Sequence, residues 1–196
     1  MTQQDSQQDF SLYDRLRLYP EIVLDEAVNK ERDNLKNLLD KTNHPQEGDN
    51  IGLILESLAR ILLESPYLKC NRERRRCKAG EIDLDFTVKK FNTTLFEEFD
   101  YLLIVECKNW SKKAGAPDLR VFKDKIREVK SNIGIFFAKQ GITRDAKVVI
   151  RDAYLVDEIV ILVFDAKDLD RIINQSENLY TILNDKYIAV RTSSKE

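Results

Sequence analysis

The stretch Tyr101-Leu-Leu-Ile-Val-Glu-Cys-Lys-Asn-Trp110 is an apolar run that ends in an acid and a base two residues apart. A short continuous apolar run of this kind reads as a strand buried on both faces. Side chains alternate across a strand, so Leu102, Ile104, Glu106 and Lys108 share one face, while Leu103, Val105 and Cys107 share the other. Charge therefore stands on one side only, at one end. Upstream, Gly80-Glu-Ile-Asp-Leu-Asp-Phe86 sets Ile82, Leu84 and Phe86 against Glu81, Asp83 and Asp85. Antiparallel neighbours lie about 4.8 Å apart, so an acid of this strand can stand beside Glu106 if the register brings the two level. Asp83 is the first choice; Asp85 shares its face and stays a rival on pattern alone.

Outward from these two strands, the chain breaks at His44-Pro-Gln-Glu-Gly-Asp-Asn50, where Asn50 can cap a helix from Ile51 to about Ser65. At 100° per residue Ile51, Ile54, Leu55, Leu58 and Leu62 form its apolar face, with Glu56 at the edge beside Ala59 and Leu63. A short strand is expected near Tyr67 to Cys70, followed by strands over Glu81 to Val88 and Tyr101 to Glu106, the last two joined by a hairpin connection. Pro117 opens the next helix, Ile133 to Ala138 is a buried strand, and Thr143 caps a helix to about Tyr154. Glu158 to Phe164 is a further strand, Asp165 starts a helix through Ile173, and Asn178 to Arg191 reads as helix or as helix plus strand. Before the break, a Gln/Asp-rich tail precedes one helix predicted from Pro20 to about Lys41, whose Val28, Leu35, Leu38 and Leu39 form a stripe for the core or for a second copy. The expected class is α/β: a mixed sheet flanked by helices, with residues 1–48 as a helical extension and 49–196 as the functional domain.

Composition narrows the classes. A formal net charge of -2 with 34% charged residues gives no global attraction to nucleic acid, so any such attraction must be local. Three cysteines without a CxxC pair, and a single histidine, disfavour a zinc site and a disulfide scaffold. The polar N-terminus lacks the order of a signal peptide and no apolar run suits a bilayer, which implies a reduced, cytoplasmic protein.

Two acids and a lysine at one strand end suit metal-assisted hydrolysis of a phosphodiester. Mg²⁺ prefers oxygen ligands and is commonly held by one or two carboxylates with waters and substrate oxygens. It can activate water, neutralise charge on phosphorus and stabilise the leaving oxygen. In this reading Asp83 and Glu106 hold the ion, and Lys108 positions water or offsets phosphate charge, its pKa lowered by the nearby metal. Glu56 can hold a water beside the ion from the helix side.

The ordered segments Gly80-Glu-Ile-Asp83-Leu, Leu-Ile-Val-Glu106-Cys-Lys108-Asn-Trp, Gly115-Ala-Pro-Asp-Leu-Arg120-Val-Phe and Gly134-Ile-Phe-Phe-Ala-Lys-Gln-Gly141-Ile-Thr-Arg-Asp-Ala146 resemble the catalytic domain of Mrr-like restriction endonucleases, within the PD-(D/E)xK nuclease superfamily. The resemblance implies a restriction endonuclease-like core of the order αβββαβ. By position it makes Asp83 and Glu106 metal ligands, Lys108 the catalytic lysine and Glu56 the auxiliary helix acid, and it selects Asp83 over Asp85. Many members carry Gln where Glu106 stands here, and many carry a separate DNA-reading domain.

For nucleic acid, Lys69-Cys-Asn-Arg-Glu-Arg-Arg-Arg-Cys-Lys78 offers Arg72, Arg74, Arg75, Arg76 and Lys78, with Lys112, Lys113 and Arg120 as further candidates. Such groups would grip phosphates without reading sequence. Trp110 is a candidate stacking platform. The leading expectation is a Mg²⁺-dependent DNA endonuclease, with Mn²⁺ substituting, possessing a restriction or defence role and acting as a homodimer. A structure-specific repair nuclease, or an inactive nucleic-acid-binding protein on the same fold, are the other readings.

Overall fold

The computed structural model describes residues 11–92 and 95–193, except for the side chain of Arg72. Arg72, as a phosphate contact, and the tail through residue 10 therefore lie outside the described residues. In chain order the elements are α1 (Leu12–Leu18), α2 (Pro20–Lys30), α3 (Arg32–Asn43), α4 (Ile51–Leu63), β1 (Leu68–Cys77), β2 (Gly80–Val88), β3 (Leu102–Lys108), α5 (Ala116–Glu128), β4 (Ile133–Ala138), α6 (Arg144–Asp157), β5 (Val160–Phe164), α7 (Ala166–Ile173) and α8 (Leu179–Thr192).

The five strands form one sheet in sequence order. β1, β2 and β3 pair antiparallel, whereas β3, β4 and β5 are parallel, with α5 and α6 as the crossovers. Parallel strands must be covered on both faces, and they are. Leu103, Val105 and Cys107 of β3 join a core with Leu55, Leu58 and Leu62 of α4, Leu24 and Val28 of α2, Leu35 and Leu39 of α3, and apolar residues of α7 and α8. Ile104 turns the other way, into a second core with Leu119, Phe122 and Ile126 of α5 and Ala146, Ile150 and Ala153 of α6. The alternation of the Tyr101–Trp110 stretch thus maps onto two separate cores.

Four expectations need correction. The helix from Pro20 to Lys41 is two helices: the Glu31 N–H bonds the Val28 carbonyl at 3.1 Å, tightening the turn and redirecting the chain. Arg32 then reaches the last carbonyls of α7, Ile172 and Ile173, at 3.0 and 2.8 Å, a tertiary contact that no local pattern encodes. The stripe of Val28, Leu35 and Leu39 is buried in the chain's own core, so it is not a pairing surface for a second copy. Third, β1 is ten residues long and contains the basic run up to Cys77, with Lys78 in the turn that follows. That run carries no apolar alternation because the side chains of residues 73–76 are exposed on both faces, and its backbone is held by the hairpin with β2. Fourth, part of the N-terminal tail forms helix α1. Of the two readings for the segment after Asn178, the single helix is the one observed.

Candidate active site

The β1–β2 hairpin bends where the candidate aspartate sits. Its ladder runs Glu73↔Leu84 and then Arg75↔Ile82, and between these pairs Arg74 adopts φ 57°, a conformation uncommon for residues other than glycine. Leu84 and Phe86 face the α4 core, whereas Ile82, two residues before Leu84, belongs to the α5 core. Strict alternation is therefore broken at Asp83. The β2–β3 ladder also stops here, its last pair being Leu84↔Val105, which sets Asp83 next to Glu106. In place of another backbone pair, Asp83 Oδ2 accepts the N–H of Cys107 at 2.7 Å. Asp83 thus stands in the fork where β2 leaves β3. The rival Asp85 is level with Ile104; it is buried, its Oδ2 accepts no hydrogen bond among the described residues, and Arg75 lies 3.8 Å from it.

Glu106 is buried at the end of β3, beside Phe136 of β4. Its Oε1 meets Lys108 Nζ at 2.7 Å and its Oε2 meets Lys125 Nζ at 2.6 Å. Burial, and next the Glu106 charge, push the Asp83 carboxyl up to about 6, against the pull of the Cys107 N–H and Lys108. Two carboxylates that disfavour each other's charge and offer hard oxygens are a donor set suited to a divalent cation, which relieves that repulsion. No group of three or more His, Cys, Asp or Glu able to hold a metal occurs among the described residues, so an ion here would draw on this pair, water and substrate.

Lys108 is governed by the carboxylates around it. Burial pulls its ammonium down, but the charge and hydrogen bond of Glu106, with Asp83 behind, outweigh burial and raise it. It is a charged donor in this arrangement. Its Nζ lies 5.3 Å from the centre of the Trp110 ring and Lys112 lies 5.9 Å from it, which places an exposed aromatic plane and two cations at the mouth of the fork. Cys107 is buried and its thiol is pushed well above the usual range, chiefly by burial.

Glu56 is brought in by α4. Asn50 caps that helix through the N–H of Leu53 at 3.2 Å, and Asn109, just after β3, donates to the Ile51 carbonyl at 3.0 Å. The helix start is thereby tied to the strand end. Glu56 is close enough for its charge to act on Asp83, but its carboxylate is engaged by Arg74, at 3.2 and 3.3 Å. Arg74 is therefore a partner of Glu56 and not a free phosphate ligand. Arg75 leans toward Asp85, while Arg76, Lys78, Lys112 and Lys113 are exposed. Arg120 is exposed on α5 in a cleft with Lys123, Asp145 and Asp152, acids that offset its charge.

Lys125 was not singled out from the sequence. It lies at the edge of the apolar stripe Leu119, Phe122 and Ile126, and a lysine at such an edge is usually a stem lying along the core with its head in water. Here the head is buried instead.

A family model described as restriction endonuclease, of the Mrr catalytic type, matches residues 54–173. The matched span begins in α4 and ends with α7, and so encloses Glu56, Asp83, Glu106, Lys108 and Lys125. No curated protein matches the chain.

Proposed function

The chain belongs to the restriction endonuclease family of the Mrr catalytic type, and from that premise we propose that it hydrolyses the phosphodiester backbone of DNA with a divalent cation held by Asp83 and Glu106. The family gives a nuclease of the restriction endonuclease type on a mixed α/β fold. Support for the finer reading comes from one arrangement: Asp83 anchored on the Cys107 N–H beside the Glu106–Lys108 contact of 2.7 Å. Mg²⁺, or Mn²⁺ in its place, would supply charge neutralisation at phosphorus and a more acidic water.

The chain's own residues do the rest. The Cys107 N–H fixes one oxygen of Asp83 and leaves the other directed at the fork. Lys108, a quarter exposed, can exchange Glu106 for a non-bridging phosphate oxygen and donate to it as charge builds there. Glu56, once released from Arg74, can accept a proton from the attacking water; the water oxygen then bonds to phosphorus as the bond to the leaving oxygen breaks, and the leaving oxygen takes a proton from solvent. Arg76 at the end of β1 and Lys78 in the turn after it, with Lys112 and Lys113 beyond β3, would grip flanking phosphates, and Trp110 offers a face for a base or sugar. We take residues 49–196 as the nuclease unit and 1–48 as an extension that seals its core, with a second copy cutting the other strand of a duplex.

Cleavage of a panel of linear, methylated, branched and single-stranded DNA tests this. Asp83→Ala and Lys108→Ala should each abolish cutting while native circular dichroism is kept; unchanged cutting by both variants would refute the assignment. Preference for linear or methylated duplex supports a defence role, and preference for branched DNA a repair role. Binding that persists in EDTA with no cutting at any Mg²⁺ or Mn²⁺ concentration would leave only a binding protein. Light scattering with duplex present should show two copies per DNA.

A further inference from the structure

Lys125 has no part in the chemistry described above, yet its environment is unusual. Its side chain is 6% exposed, in a residue type almost never buried without a partner. Its Nζ donates to Glu106 Oε2 at 2.6 Å and also to the backbone carbonyl of Glu81. Glu81 lies on β2 just before Asp83, where β2 has left β3, so the ammonium spans the opening of the fork and joins both strands to α5. The hairpin tip is tied to the same helix, because Glu128 accepts the N–H groups of Lys78 and Ala79.

Glu106 is therefore held between two ammonium groups that differ in freedom. Lys108 is 26% exposed and can swing toward solvent or substrate. Lys125 cannot leave without taking a donor from the Glu81 carbonyl and stranding a buried carboxylate oxygen of Glu106. We propose that Lys125 is a positioning residue that permanently closes the Oε2 side of Glu106 as an internal counter-cation, so that the site takes a single divalent ion between Asp83 and the Oε1 side, Lys108 giving way to it. This inference rests on the reading of Asp83 and Glu106 as the metal pair. Charge balance supports the count. The two carboxylates and an incoming phosphate balance Lys125 and one dication, which leaves Lys108 as the single surplus charge beside the phosphate. A second dication would leave the fork strongly positive, in surroundings where such repulsion is poorly screened.

The test counts Mn²⁺ bound to the full chain by electron paramagnetic resonance, alongside thermal melts and DNA cleavage. Wild type should bind one ion, and Asp83→Asn should lose it. Lys125→Met should bind Mn²⁺ at least about ten-fold more tightly, or admit a second ion, because a fixed positive charge is gone. Its cleavage should nevertheless fall at least about ten-fold, as Glu106 loses its orientation. Lys125→Arg, which keeps the charge, should retain the wild-type count and affinity. A merely structural lysine would give the opposite sign, with metal binding weakened in step with the melting temperature. Two ions in wild type, equal or weaker Mn²⁺ binding by a folded Lys125→Met, or Lys125→Arg behaving like Lys125→Met would each overturn the proposal. Lys125→Gln serves if the methionine variant does not fold, and the wild-type count decides the matter alone if neither does. Retention of Mn²⁺ by Asp83→Asn is a separate failure, since it would remove the metal pair itself and not only the role of Lys125.

Discussion

Asp83 concentrates the electrostatic tension of the site in one side chain. Its carboxyl is raised to about 6 from 3.8, first by burial and then by Glu106. The folded chain thus holds a proton there that the unfolded chain has released, so stability falls as pH rises from about 3.8 to about 6 and the full cost is present above that window. Asp83→Asn removes the charge and can still accept the Cys107 N–H. In EDTA at pH 8 the variant should be more stable than wild type by about 2 kcal/mol, with the difference gone below pH ~4. Urea denaturation at the two pH values measures this; an Asn variant less stable at pH 8 would contradict the account. If Asp83 holds the proposed cation, the same proton competes with it, so cleavage should fall below about pH 6 and be partly restored there by more Mn²⁺. Glu106 and Lys108 were visible in the sequence because strand alternation and spacing are local properties, whereas alternation left Asp83 and Asp85 as rivals and the family resemblance alone chose between them. The sequence did not reveal Lys125, whose place on Glu106 depends on how α5 crosses the sheet.

The elements that set the fork are α5 and the edge hairpin. Helix α5 crosses β4 at Gly134, where an added Cβ would lie 2.7 Å from Ile126 Cδ1 and from Phe122 Cζ. Gly134→Ala should therefore destabilise the protein by about 1–3 kcal/mol through overpacking. It should also lower activity more than Ala substitutions elsewhere on α5, because displacing the helix moves Lys125. Chemical denaturation and cleavage rates on the same samples check both parts. At the opposite edge, the basic strand β1 has a second physical purpose, since charged side chains keep an exposed sheet edge from pairing with another chain. If the strand also grips DNA, Arg76→Ala with Lys78→Ala should reduce the slope of log affinity against log salt by about 1–2, with little change in sequence preference. An unchanged slope in a fluorescence anisotropy titration would leave edge protection as the strand's only role. The basic run was legible as a cluster, but its strand conformation was not, because periodicity is silent where both faces of a strand are solvated.

Across the whole molecule, the N-terminal helices are part of the main core. Leu24, Val28, Leu35 and Leu39 pack with α4, and the buried Tyr67 hydroxyl donates to the Leu16 carbonyl at 2.7 Å. Deleting residues 1–48 should uncover Leu58 and Leu62 and give an aggregating protein even though every proposed catalytic residue remains; size-exclusion chromatography of that truncation is the check. No helix among the described residues is long and apolar enough to cross a membrane. By itself the sequence determined the alternating strands, the two cores they separate, the crossover helices with their Pro117 and Thr143 starts, and the acid, acid and lysine order, because each is written in neighbours a few residues apart. Tertiary structure alone decided that Asp83 sits in a fork held open at one end and anchored at the other, that Arg74 occupies Glu56, that a second lysine closes Glu106, and that the N-terminal stripe turns inward. Each of those facts is a contact between segments far apart in the chain, set by how bent strands and crossing helices meet, and no local period records it.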